Sequence, residues 1–107
     1  MKAAELFSVA GQGAIVTGAA SGLGLAIAEA LAENGARVTL LDIDAARIAA
    51  ETERLKAQGC AVRGEVVDVS DHPLLERTFD AALAAHGRLD IVFANAGIDS
   101  IWRESIH

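Results

Sequence analysis

Thr17-Gly18-Ala19-Ala20-Ser21-Gly22-Leu23-Gly24 lies between a short apolar run, Ala14 to Thr17, and a longer stretch of helical period from Gly22 to about Asn34. That context predicts a strand, a tight glycine-rich turn and a helix, in that order. Gly18 permits the turn, Gly22 leaves room for a pyrophosphate to approach the backbone, and Gly24 lets the helix pack close to the strand. The unbonded N–H groups and the positive end of the helix dipole attract phosphate there, and the Ser21 hydroxyl can donate one more hydrogen bond. Ser21, Gly22, Leu23 and Gly24 therefore form a candidate phosphate cradle. Gly11 and Gly13 share the G-x-G spacing but precede the strand, so they read as an ordinary turn.

Outward from this turn, strand-length apolar runs alternate with helical ones in a β-α-β-α-β-α-β pattern. The first helix carries Leu23, Ile27, Ala30 and Leu31 on one face and ends before Gly35. Arg37 to Asp42 is the second strand, and Asp44 caps a helix reaching about Gln58, with Ala45, Ile48, Thr52 and Leu55 as its apolar stripe. The third strand is expected over about Ala61 to Asp68. Ser70 is expected to cap the third helix, with Pro73 in its first turn, Leu75, Phe79, Ala82 and Leu83 facing inward, and Gly87 as its stop. Leu89 to Ala94 is the fourth strand, whose consecutive Ile91, Val92 and Phe93 suit a parallel strand buried on both faces. Right-handed crossovers then give a Rossmann-type, doubly wound parallel sheet of order 3-2-1-4, the first half of such a fold. Residues 1–107 are taken as one partial domain, with an irregular tail over 98–107.

Composition narrows the partners. The 107 residues are 52% hydrophobic with a net charge of -6, and no basic stripe offers a surface for nucleic acid. The apolar runs are broken well short of the roughly 20 residues a membrane helix needs, and the start lacks a signal-peptide core. A lone Cys60 fits a reducing, cytoplasmic setting, and it is read as a small buried strand residue. His72, His86 and His107 are scattered and read as surface residues; no metal site is expected.

Asp42 ends the second strand 18 residues after Gly24, the place where a carboxylate accepts hydrogen bonds from adenosine ribose hydroxyls. An added 2′-phosphate would sit beside like charge, costing on the order of 4 kcal/mol at about 4 Å and an effective dielectric near 20, less where solvent intrudes. Ala19 and Ala20 are neutral and Arg37 lies at the far end of the strand, so NAD is expected over NADP. The alternative for Asp42 is a solvated strand-end acid or helix cap. Asp68 with Val69 ends the third strand and can hydrogen-bond an adenine edge, or Asp68 can cap the next helix with Ser70. Asn95-Ala96-Gly97 ends the fourth strand, with room for a ribose, although by itself it is also an ordinary turn.

Together these residues resemble the short-chain dehydrogenase/reductase family. Thr17-Gly18-x-x-x-Gly22-x-Gly24 is similar to its cofactor turn, and Asn95-Ala96-Gly97 to its strand-4 motif, with Ala94 where a second Asn is common. The resemblance spans the family's amino-terminal half. It implies NAD across the strand 1/strand 4 crevice, with Asp42 and the adjoining Ile43 at the adenosine ribose, Asp68 and Val69 at the adenine, and Ala96 and Gly97 beside a ribose. It also implies hydride transfer between nicotinamide and an alcohol or carbonyl substrate. The family's Ser, Tyr and Lys catalysts find no counterpart, because the sequence contains no Tyr and its lysines, Lys2 and Lys56, fall in the wrong places. Catalysis by these residues alone is not expected, and substrate enters only if the missing half is supplied. A chain ending after the fourth strand is expected to form a homo-oligomer or to associate along that edge. Trp102 lines a substrate entrance or covers the fourth strand; the sequence does not choose. A non-catalytic NAD-binding module and a methyltransferase-like domain are the alternative readings.

Overall fold

The computed structural model describes residues 8–94. Four parallel strands, β1 (Gly13–Thr17), β2 (Arg37–Asp42), β3 (Val62–Val66) and β4 (Ile91–Phe93), alternate with helices α1 (Gly22–Glu33), α2 (Ala45–Ala57) and α3 (His72–His86). The sheet order is β3-β2-β1-β4, and β1 aligns Ala14 with both Val38 of β2 and Ile91 of β4. Helices α1 and α2 cover one face, where Ala14, Val16, Val38, Leu40, Ile48 and Leu55 are buried together. Helix α3 covers the other, over Ile15, Leu41, Val67, Leu75 and Ala82. With β1 and β2 covered on both sides, their central residues Ala14, Ile15, Val16, Val38, Thr39, Leu40 and Leu41 are fully buried, and Thr39 is the one polar side chain among them. No helix among the described residues is long and apolar enough to cross a membrane.

Several local expectations are corrected by packing. Leu23 and Ala30 do not face the sheet; they are exposed, and Gly24, Ala28 and Ala32 are buried in their place, with Ile27 and Leu31 partly so. The helix lies too close to β1 for larger side chains along its line of nearest approach. Ala45 is likewise exposed at the open start of α2, while Ile48, Thr52 and Leu55 are buried as its pattern predicted. On α3 the inward line is Leu75, Thr78, Ala82 and His86, Phe79 is partly buried and Leu83 is 47% exposed. Asp71, not Ser70, caps α3 by accepting from Leu74 N–H at 3.1 Å.

The strands also end differently. β3 is shorter than Ala61 to Asp68: it pairs only over Val62 to Val66, and Val67 N–H then closes onto the Asp42 carbonyl at 3.0 Å. β4 is confined to Ile91–Phe93 and is half-buried rather than covered on both faces, since β1 is its one strand neighbour among the described residues. Cys60 precedes β3 and is only partly buried. Gly13 is not a turn residue: it opens β1 at a point where a β-carbon would strike the Arg88 carbonyl, and only Gly11 belongs to the turn.

His86 is the largest departure from the sequence reading. It is 6% exposed, its Nε2 lies 2.8 Å from Thr39 Oγ1 in a hydrogen bond, and Arg37 donates from Nη1 to the His86 carbonyl at 3.0 Å. Burial first, and then the charges of Arg63 and Arg37, lower its pKa below the ordinary 6.5. The folded state therefore takes up a proton less readily than the unfolded chain. Stability is complete above the unfolded value near 6.5 and falls as the pH drops below it towards the folded value. Lowering the pH from about 7.5 to 5 should reduce the melting temperature more for the native chain than for His86→Gln, which removes the titration. Equal slopes in a thermal-melt series would refute this role.

Candidate functional site

The carboxyl ends of β1, β2 and β3 meet at a cleft of about 160 Å3 lined by Thr17, Gly18, Leu41, Asp42, Ile43, Val67, Asp68 and Val69. Four of the residues singled out for adenosine in the sequence, Asp42, Ile43, Asp68 and Val69, are thus brought to one cavity, although Asp42 and Asp68 are separated by a whole helix and strand. Ile43 is 66% exposed, an apolar surface beside the cleft on which a planar base could rest. None of the lining residues is Lys or Arg.

The glycine-rich turn forms the next wall. Gly18 and Gly22 have φ of 63° and 60°, in the left-handed region that favours glycine. Open space surrounds the position where a Gly22 side chain would begin, leaving its backbone accessible. A β-carbon on Gly24 would instead strike the Gly18 carbonyl and come within 3.2 Å of the Thr17 carbonyl. The three glycines thus serve three needs: backbone shape at Gly18, shape with an open approach at Gly22, and close helix–strand contact at Gly24.

Ser21 is the extended N-cap of α1, yet its side chain makes no capping bond. No acidic residue occupies the first helical turn. Both features leave the positive helix end open to an outside anion. Leu23, 65% exposed at this end, leaves an uncovered apolar side chain beside the turn.

Asp42 is partly buried, and its two oxygens accept from different segments: Oδ2 from Ala20 N–H at 3.0 Å and Oδ1 from Asp44 N–H at 2.9 Å. The expected helix cap is Asp44 instead, which accepts from Arg47 N–H at 3.1 Å. Asp68 Oδ1 accepts from both Ser70 N–H, at 3.0 Å, and Ser70 Oγ, at 2.8 Å. These bonds, backbone first, lower its pKa and keep it an acceptor at neutral pH. Asn95, Ala96, Gly97 and Trp102 lie outside the described residues.

One site residue, and one structural tie at the opposite end of the sheet, escaped the sequence reading. Ala20 matters through its N–H alone, which no side-chain pattern reveals. Asp90 accepts from Gly13 N–H at 3.0 Å and from Arg88 Nε and Nη2 at 2.7 and 2.8 Å, and its own N–H reaches the Gly13 carbonyl at 2.9 Å. It ties the beginnings of β1 and β4 together. Its place just before an apolar strand was the available signal.

A parallel sheet of order 3-2-1-4 with a glycine-rich turn after its first strand defines a Rossmann-like half-fold. The family model for short chain dehydrogenases matches residues 12–107; the chain belongs to the short-chain dehydrogenase/reductase family. It is 41% identical over 85 residues to 1-deoxy-11-beta-hydroxypentalenate dehydrogenase of Streptomyces avermitilis, covering 79% of this chain and 32% of that one. It is 41% identical over 92 residues to D-threitol dehydrogenase of Mycolicibacterium smegmatis, covering 86% and 35%. The chain thus spans about a third of the length of these curated relatives. Among solved structures, a short-chain dehydrogenase/reductase from Burkholderia phymatum in complex with NAD superposes with a TM-score of 0.81 at 40% identity, over 85% of this chain and 32% of that one. A metagenomic short-chain oxidoreductase in complex with NADP gives 0.77 at 39% identity, over 84% and 41%.

Proposed function

We propose that this chain supplies the NAD(H)-holding part of an oxidoreductase acting between an alcohol and a carbonyl compound. A bound nicotinamide dinucleotide supplies the hydride acceptor or donor. The residues of this chain bind and orient: the N–H groups of Ser21, Gly22, Leu23 and Gly24 with the Ser21 hydroxyl at the pyrophosphate, Asp42 and Ile43 at the adenosine ribose, and Asp68 and Val69 at the adenine. Ala96 and Gly97 are assigned to a ribose on family resemblance, with Asn95 bracing the neighbouring loops through its amide. The sequence holds no Tyr, and these residues are given no proton to transfer.

The observation that carries the choice of NAD is the charge of the cleft. Asp42 and Asp68 both line it without a basic residue, so a 2′-phosphate would meet repulsion and no compensating cation. Solved relatives include NAD and NADP complexes, which makes this local charge the deciding feature. Calorimetric titration of the chain with each dinucleotide should show NAD binding at least tenfold more tightly, about 1.4 kcal/mol. Tighter binding of NADP would reject Asp42 as the selector.

The free Cys60 favours a reducing, cytoplasmic compartment.

A further inference from the structure

The glycine-rich turn is attached to β2 at two successive N–H groups. Ala19 N–H reaches the Leu41 carbonyl at 3.0 Å, a main-chain bond that any residue could make. Ala20 N–H reaches Asp42 Oδ2 at 3.0 Å, a bond that depends on this side chain. Both alanines are buried, with Ala19 fully covered and Ala20 at 3%. The tethered pair lies between Gly18 and Gly22, the two positions whose left-handed backbone gives the turn its freedom. The other Asp42 oxygen holds Asp44 N–H at 2.9 Å, and Asp44 is the N-cap of α2. One carboxylate thus joins the turn that opens α1 to the start of α2.

We propose that Asp42 is a positioning residue for the phosphate-binding turn, latching the Ala19–Ala20 peptide so that the N–H groups at the start of α1 are held ready for the pyrophosphate. This rests on reading the turn as the dinucleotide site, and adds to the ribose contact a second role for the same group. The two roles coexist because each carboxylate oxygen has two lone-pair directions, and among the described residues each accepts one hydrogen bond. A hydrogen bond to a charged acceptor is among the stronger ones available to the backbone. Two glycine hinges released from it regain conformational freedom that ligand binding must then remove. It follows that neutralising Asp42 to admit a 2′-phosphate also loosens the pyrophosphate cradle, weakening NAD and NADP together.

The test compares the native chain with Asp42→Ala using two ligands: NAD, and an NAD analogue whose adenosine ribose lacks both its 2′- and 3′-hydroxyls. The analogue cannot make the ribose contact, so any effect of the substitution on its affinity reports the turn. Calorimetry is expected to show the analogue bound about five- to tenfold more weakly by Asp42→Ala, the scale of one lost hydrogen bond. Amide exchange on the ligand-free proteins supplies a second readout: Ala20 should exchange at least about tenfold faster in the variant, with Val16 and Leu40 little changed. Equal affinity for the analogue, an unchanged Ala20, or a rise shared equally by Val16 and Leu40 would overturn the positioning role. The native chain's preference for NAD over the analogue tests ribose reading separately; its absence would remove that reading and leave the latch to be judged by the other measurements.

Discussion

Gly24→Ala should lose both stability and dinucleotide binding. Its added β-carbon meets the Gly18 carbonyl and approaches the Thr17 carbonyl, and both obstacles are backbone at the end of a buried strand. No side chain can rotate aside, so α1 must move outward or β1 must bend. Overpacking of this kind costs typically about 1–3 kcal/mol, occasionally more, against a total on the order of 5–15 kcal/mol for a domain of this length. Displacing α1 also moves the N–H groups of its first turn away from the position proposed for the pyrophosphate. A denaturant titration should show a clearly lower midpoint with an unchanged slope, and calorimetry should detect little binding. A native midpoint would mean that the helix is not held as closely as the geometry states.

Gly22→Val is expected to impair binding at least as much as folding. Open space surrounds this position, so the substitution meets no core atom. The cost to the fold is conformational, on the order of 1–3 kcal/mol for a β-branched residue forced to φ near 60°. The cost to binding is at least as great, because the space around Gly22 is where an anion must approach the start of α1. Loss of two charge-assisted hydrogen bonds at about 1.5 kcal/mol each would weaken NAD roughly a hundredfold. Gly22→Asn separates the two effects, since Asn tolerates the left-handed region while still placing a side chain in the approach. It should fold nearly as well as the native chain and bind weakly; native affinity in both variants would exclude this turn as the pyrophosphate site.

The architecture was legible because its determinants are local. Arg37 to Asp42 reads as a strand from its composition and emerges with those bounds, and Asp44 caps α2 where a cap was expected. The spacing from Gly24 to Asp42 spans one helix and one strand, so an acid at that distance must return to the same end of the sheet. The inward face of α1 was less legible. Leu23 and Ala30 satisfy a helical period, yet the period alone does not say whether the sheet lies close enough to require Gly24, Ala28 and Ala32. The face of α3 misled for a related reason: Thr78 and His86 are polar by type, yet Thr78 satisfies its hydroxyl on the Leu74 carbonyl of its own helix, and the burial of His86 depends on partners outside the helix.

Those partners mark the division between the two kinds of information. Thr39 meets His86 across 47 residues of sequence, and Ala20 meets Asp42 across 22. The sequence by itself determined the order of strands and helices, the glycine-rich turn and the acid that follows it, because hydrophobic period, caps and glycine positions act within a few residues. Only the tertiary structure decided that His86 is buried, that α1 packs through its smallest residues, and that Asp42 holds the turn. Each of those depends on how closely separate segments approach, a quantity set by the packing of the whole sheet.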